Sequence, residues 1–365
     1  MHPDEMADIR ERWNALVLAM KRPTIFCTWE WMSLWWKHYG YLYKPLLLVI
    51  EDGNMVVGIL PLAKRTMVIE DGLLPVRTLT LWGNIDLHAD HLDIIASPEK
   101  ALACVETVIS FLKEDYGDWD MIHLSHIDND AHLLKKLNDI ANSIDIDFQK
   151  VSVAPYVDIT NDHNGSIELF MQSLGRNRRH DVKRREKALF KENGVTYGPP
   201  KSMDDVTAIT KLFSLHKLRA DKKGLQTSFA GQRLLAFHSE IAEVFSRKRW
   251  TWLRFLYSGH EPIAVIYCFA FADRIVAYQS GHDPDWEAKG VGSVLIYEII
   301  REAFAEDAME FDFLRGGEGY KHTWTKTARD QFDINVYNNT VRSALFKNTY
   351  RARFALKRMI KHNAL

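Results

Sequence analysis

The densest group of reactive side chains in the chain is Asp312, Arg315, Glu318, Tyr320, Lys321 and Trp324, strung along a glycine-bearing stretch that starts at Phe311. A short apolar run into such a stretch predicts the end of a strand, where a rigid scaffold displays reactive groups on a loop. There Glu318 would act as a general base if burial raised its pKa. Arg315 and Lys321 would neutralise phosphate or a developing oxyanion, and Tyr320 would donate a proton. The same residues would also make a solvated turn with an ordinary ion pair.

A second group runs from Tyr278, Gln279, Ser280 and Gly281 to Gly290, Gly292 and Ser293, where an apolar helix is predicted to begin. Glycines at that point let backbone N–H groups approach a phosphate, and a helix N-terminus adds roughly half a positive charge toward it. A strand-to-helix turn that needs glycine only for sterics would look the same. The sequence has no G-x-x-x-x-G-K-S/T, G-x-G-x-x-G or G-x-S-x-G pattern, which disfavours the common mononucleotide, dinucleotide and serine-hydrolase folds.

Two further segments are basic. Arg176, Arg178, Arg179, Lys183, Arg184, Arg185 and Lys187 fall on one predicted helix. This suits cofactor or nucleic-acid phosphates, an anionic membrane surface, or simply a solvated face. No aromatics are interleaved to stack bases, which lowers the RNA reading. His216 and Arg219 share a helix face one turn apart, so His216 is either a second candidate base or a satisfied helix-end residue. Among possible metal ligands, strand alternation would put His88 and Asp90 on one face and His91 and Asp93 on the other. No metal site is expected. Cys27, Cys104 and Cys268 lie far apart and read as buried thiols.

The elements that must position these groups form two α+β halves. In the first, β-rich runs at 45–51 and 55–62 meet at Asp52-Gly53-Asn54, a hairpin signal. Strands at 76–82, 92–95 and 119–124 and helices at 99–115 and 131–142 follow. In the second, helices are expected at 166–192, 203–218 and 229–248, with strands at 250–257, 262–272 and 274–280. A helix from Gly290, strands at 311–314 and 332–337, and a basic closing helix at 341–362 complete it. The length of 365 residues and this repeated order suggest two domains, 1–155 and 156–365. Residues 1–150 hold 14 basic against 23 acidic side chains, a net of −9, while the remainder nets +8, so an anionic ligand is expected on the second half. No apolar run approaches the roughly 18–20 residues of a membrane span. The acidic N-terminus lacks the features of a secretory signal, so a cytoplasmic location is expected.

In order and spacing these segments resemble the GNAT superfamily, and within it the CelD-type acetyltransferases associated with cellulose-biosynthesis clusters, relatives of the Fem-type aminoacyl transferases. The resemblance is carried by Trp29-Glu30-Trp31-Met32-Ser33-Leu34-Trp35-Trp36-Lys37-His38-Tyr39-Gly40, Val57-Gly58-Ile59-Leu60-Pro61-Leu62 and Asp90-His91-Leu92-Asp93 in the first half. In the second it is carried by residues 174–185, Leu215-His216-Lys217-Leu218-Arg219, Tyr278-Gln279-Ser280-Gly281, Phe311-Asp312-Phe313-Leu314-Arg315-Gly316, Tyr320-Lys321 and Trp324.

The resemblance implies tandem GNAT-like domains, each a mixed, largely antiparallel sheet flanked by helices, with the acyl donor in the second. It implies N-acyl transfer from acyl-CoA, acetyl-CoA foremost, to an amine on a small molecule, a sugar, a peptide or an envelope-polysaccharide precursor, without a metal. Glu318 or His216 would be the base, Tyr320 the acid, and Asp312 and Lys321 substrate-positioning groups. Gln279, Ser280, Gly281, Gly290, Gly292, Ser293 and Arg315 would surround the donor, and Arg219, Tyr278 and Trp324 the substrate. One position departs from the pattern: where such domains carry Q/R-x-x-G-x-G/A, this chain has Glu287 ahead of Gly290 and Gly292. That keeps open a Fem-type aminoacyl-tRNA donor, or a catalytically silent binding protein in polysaccharide assembly. The closing helix would either touch anionic lipid as a peripheral contact or stand solvated.

Overall fold

The computed structural model describes residues 3–68, 75–349 and 351. In chain order the first elements are helices α1 (Arg10–Ala19) and α2 (Trp29–Tyr39), then strands β1 (Lys44–Asp52), β2 (Met55–Val68), β3 (Pro75–Leu81) and β4 (Ile95–Ala96). Helix α3 (Pro98–Phe111), strand β5 (Met121–Asp128), helix α4 (His132–Asp139) and strand β6 (Asp145–Asp158) follow. Next come α5 (Ile167–Ser173), α6 (Arg176–Lys187), β7 (Val195–Gly198), α7 (Asp205–Lys222), α8 (Gln232–Arg247), β8 (Thr251–Ser258), β9 (Glu261–Phe271) and β10 (Arg274–His282). The series ends with α9 (Val291–Ala305), β11 (Glu310–Asp312) and β12 (Ala328–Tyr337).

The chain forms two compact units: Met1–Val151 with Asp330–Leu365, and Ser152–Arg329. The break expected at 155/156 therefore falls inside β6, and most of β12 returns to the first unit. The physical reason is pairing, since Gln331–Tyr337 of β12 run antiparallel to Met121–Asp128 of β5. Of the expected closing helix, residues 341–349 are helical, and Lys347 and Arg351 pair with Asp145 and Asp147. Its later cations Arg353, Lys357, Arg358 and Lys361 lie outside the described residues, while Arg342 lies within them.

In the first unit β1, β2 and β3 form an antiparallel meander, helix α3 crosses over, and β5 pairs parallel with β3 at Thr78↔Met121 and Leu79↔Ile122. Its core is rich in indoles, with Trp13, Trp31, Trp35, Trp82 and Trp119 fully buried. A buried indole N–H needs an acceptor. Trp13 donates to Cys27 O at 2.8 Å, Trp82 to Leu62 O at 2.8 Å and Trp119 to Leu112 O at 2.7 Å. Residues 88–93 are irregular rather than a strand, and His88 and His91 take φ of 51° and 58°. His91 Nδ1 meets Asp128 Oδ2 at 2.6 Å, while Asp93 accepts from the N–H groups of His132 (2.7 Å) and Leu133 (2.9 Å) at the start of α4. The strand alternation read there fails because these side chains close turns and cap a helix. No group of three metal-binding side chains occurs among the described residues.

The second unit repeats the scheme. Strands β8, β9 and β10 form an antiparallel meander, α9 crosses over, and β11 pairs parallel with β10 at Arg274↔Glu310, Ile275↔Phe311 and Val276↔Asp312. Both units thus share one motif, a three-stranded meander, a helix and a strand parallel to the third. Asp204 caps α7 by accepting from Thr207 N at 2.7 Å. Ala272 and Asp273, with φ of 47° and 58°, make the tight β9–β10 turn. The predicted helix over 166–192 is broken at Leu174 and Gly175, whose extended ψ values of 142° separate α5 from α6. The apolar face of α9 packs into the core through Val291, Val294, Leu295, Ile299 and Ile300. All three cysteines are buried. No helix among the described residues is long and apolar enough to cross a membrane.

Candidate active site

The parallel pairing of β10 with β11 lasts three residues, ending at Val276↔Asp312, and β10 then runs on to His282 paired with β9. Just before this a bulge between Ala277 and Gln279 displaces Tyr278, which packs among Phe229, His238 and Phe269 instead. The end of β10 turns through Asp283 and the 3-10 segment Pro284–Lys289 into Gly290, at φ 76° and ψ 30°, which starts α9. This left-handed conformation suits glycine. No side chain caps α9. Its first-turn N–H groups and the positive end of its dipole are thus the natural seat of an anion.

A cavity of about 440 Å³ opens at this point, lined by Ser280, Gly281 and His282 of β10, Gly290, Gly292 and Ser293 at the start of α9, and Tyr320 and Trp324. Helix α6 adds Arg178, Asp181 and Arg185, α7 adds Arg219, and Lys223 and Glu287 complete the charged rim. Two of the cations are matched: Arg185 pairs with Asp181 at 2.8 Å and Lys223 with Glu287 at 3.1 Å. Arg178 and Arg219 make no ion pair among the described residues. The Arg178 guanidinium lies 3.9 Å over the ring of Trp324 and reaches Ser293 Oγ at 3.4 Å. Burial holds its pKa below the usual arginine value. A partly desolvated guanidinium stacked on an indole with no carboxylate opposite it is ready for an anionic ligand.

Of the residues singled out in the sequence, Arg219, Ser280, Gly281, Gly290, Gly292, Ser293, Tyr320 and Trp324 meet at this cavity. Tyr320 is 43% exposed at the cavity rim; partial desolvation, with the charge of Glu318 adding to it, pushes its hydroxyl up to about 12, so it stays protonated at neutral pH. The others take different places. Both ring nitrogens of His216 are engaged: Nδ1–H donates to Ser280 O at 2.9 Å, and Nε2 therefore accepts from the Thr227 hydroxyl at 2.7 Å. Burial holds this imidazole below its ordinary pKa. Gln279 accepts from Ser280 N at 2.9 Å.

The carboxylate of Asp312 is buried, accepting from Leu314 N at 2.6 Å and from Arg329 at 3.0 Å, and so secures the end of β11. The Lys321 ammonium is also buried, donating to the carbonyls of Leu314 (3.2 Å) and Arg315 (2.6 Å). Glu318 is exposed and pairs with Lys321 at 2.9 Å. Asp312, Arg315, Glu318 and Lys321 thus shape the loop beside the cavity without lining it.

Residues that sequence reasoning left out of the site are Arg178, Asp181, Arg185, Lys223, His282 and Glu287 in its charged role. Their signal was spacing. Positions 178, 181 and 185 share one helix face, as do 219 and 223. The arginines of the cavity wall come from α6 and α7.

Residues 176–322, which contain the cavity-lining residues except Thr323 and Trp324, match the family of acetyltransferase (GNAT) domains. This stretch is similar to GNAT domains. No curated protein matches the chain by sequence. Among solved structures the chain resembles FemX, at 10% identity and a TM-score of 0.64, covering 93% of this chain and 97% of that one. It also resembles the C-terminal domain of a putative lysylphosphatidylglycerol synthetase from Agrobacterium fabrum, at 11% identity and a TM-score of 0.56, covering 94% and 96% of the two chains. L-PGS from Bacillus licheniformis is similar at 12% identity and a TM-score of 0.51, covering 87% and 90%. At these identities the likeness is one of fold. Within the matched stretch the cationic cavity lies where β10 gives way to α9.

Proposed function

We propose that the protein is an N-acyltransferase that moves an acyl group from acyl-CoA, acetyl-CoA foremost, to an amine on a sugar or an envelope-polysaccharide precursor. The observation that carries this reading is the cavity itself: a helix N-terminus with Gly290 and Gly292, faced by two cations that have no carboxylate partner, within the stretch that matches GNAT domains. Phosphates of the donor would lie against the Gly290–Gly292 turn, between Arg178 and Arg219.

The reaction is a direct displacement. The neutral amine attacks the thioester carbonyl, the carbon–nitrogen bond forms, and the carbon–sulfur bond breaks. Tyr320, protonated at neutral pH, gives its proton to the departing thiolate. Both carboxylates on the cavity wall, Asp181 and Glu287, hold cations, and His216 has both nitrogens engaged. The proton lost by the amine therefore goes to water and returns to the Tyr320 oxygen.

Calorimetric titration with acetyl-CoA, longer acyl-CoAs and free CoA tests the reading. Micromolar binding of one ester, lost in Arg219→Ala, is the expected result, and failure of every CoA species to bind would overturn it. Glu287, an acid where the GNAT pattern carries a cation, favours a second reading with an aminoacyl-tRNA donor. That reading requires charged tRNA to bind with a steep loss of affinity in salt. Binding of neither donor would leave a silent binding protein of polysaccharide assembly.

A further inference from the structure

Resting on the acyl-CoA reading, we propose that His282 is a direct ligand of the donor's phosphate groups and takes up a proton as they bind. His282 closes β10, lines the cavity and is 9% exposed, and its buried Nε2 makes no hydrogen bond to any described residue. Two other cavity residues share this condition. Trp324 Nε1 and Arg178 Nε are buried and also make no hydrogen bond among the described residues. Other buried groups without a hydrogen bond, such as Thr80 Oγ1 and Ser343 Oγ, lie away from this cavity. A nine-tenths-buried imidazole in the wall of a cavity that also holds an uncapped helix start and two guanidinium groups without ion pairs suits an acceptor-rich ligand.

The charges facing His282 define how it responds. Helix α7 brings Arg219 and Lys223 against it, and the turn after β10 brings Asp283 and Glu287. From α9 it faces Gly292, where an added Cβ would stand 3.7 Å from its Nδ1. Across the cavity α6 contributes Arg178, Asp181 and Arg185, and the loop after β11 contributes Tyr320. Burial first, and then the charge of Arg219, push the imidazole down to about 4, so it is neutral at pH 7 in the free protein. A ligand bearing several negative charges reverses that balance, because it compensates Arg219 and Lys223 and adds charge of the opposite sign beside the ring. The bound protein then holds a proton the free protein lacks, and affinity rises as pH falls.

The test is calorimetry of the full chain with free CoA and, separately, inorganic tripolyphosphate, in buffers of different ionisation enthalpy, on the wild type and His282→Gln. Protonation of the ligand's own phosphates is common to both proteins and cancels in the comparison. The wild type is expected to take up a proton near pH 6 that the variant does not. If the bound pKa reaches the ordinary imidazole range, the ratio of wild-type to variant affinity grows about tenfold between pH 7.5 and 5.5. Equal proton uptake by the two proteins overturns the inference, and His282→Asn gives the same comparison if His282→Gln fails to fold. Proton-linked binding of tripolyphosphate without binding of CoA would sustain the His282 inference while removing acyl-CoA as the donor. Failure of both ligands to bind would overturn both.

Discussion

Gly281 on β10 and His216 on α7 touch backbone to backbone: a Cβ added to the glycine would stand 2.7 Å from the carbonyl carbon of Leu215 and 2.9 Å from His216 Cα. Main chain cannot swing aside as a side chain can, so Gly281→Ala must push α7 off the strand. Overpacking of this kind costs about 1–3 kcal/mol. The midpoint of urea unfolding should fall accordingly. Arg219, one turn beyond His216, would be carried away from the cavity by the same shift. Donor affinity should therefore drop together with stability, whereas an unchanged urea midpoint would show that the contact is looser than drawn.

Arg219 offers a cleaner test of the cavity's charge, since it is partly exposed and makes no hydrogen bond or ion pair among the described residues. Arg219→Ala should leave unfolding nearly unchanged and weaken acetyl-CoA binding by about 1.5–3 kcal/mol, the range for a hydrogen bond to a charged group. Because the lost term is electrostatic, the gap between variant and wild type should narrow in high salt. Calorimetry at two salt concentrations reads both effects. A gap that does not respond to salt would assign Arg219 a packing role instead.

Tyr320 and Glu318 separate by position. Tyr320→Phe removes the only proton the hydroxyl could give a leaving thiolate and should lower kcat by about 10²-fold with little change in KM, as loss of a general acid does. Glu318→Gln should keep most of its turnover, because that carboxylate is exposed and occupied by Lys321. Turnover lost in Glu318→Gln and retained in Tyr320→Phe would reverse these assignments.

How much of this was legible in the sequence depended on locality. The hairpin at Gly53, the strands β8 to β10 and the glycine-led start of α9 are set by turn chemistry and periodicity within a few residues, and they appear where expected. Strand β6 did not. Its Pro155 and its mixture of exposed and half-buried positions hide any alternation, and its pairing partners, such as Phe311 opposite Val157, are remote in sequence. The same holds for the site. Gly290, Gly292 and Ser293 announce a phosphate-sized turn locally, whereas the match of Arg178 and Arg219 to that turn comes only from the packing of α6 and α7. Asp312 and Lys321 looked like chemistry for the opposite reason. Charged residues at a strand end read as reactive until burial shows that one holds Arg329 and the other holds backbone carbonyls.

Stability toward acid should be governed in part by His238. This imidazole is buried among Phe229, Phe237, Tyr267 and Tyr278, and burial pushes its pKa down to about 3. The unfolded chain titrates it near the ordinary value of about 6.5. Between these values the unfolded state binds a proton that the folded state resists, so folding stability falls as pH falls. The contribution is complete above about pH 6.5 and is progressively lost toward pH 3. His238→Leu removes the titration while keeping an apolar side chain of similar size in the cluster. Its urea midpoint should decline less steeply than that of the wild type from pH 6.5 downward. Some slope will remain, because burial also depresses His163, His216 and His282. Parallel curves for the two proteins across that window would mean that His238 takes up its proton in the folded state as readily as in the unfolded one.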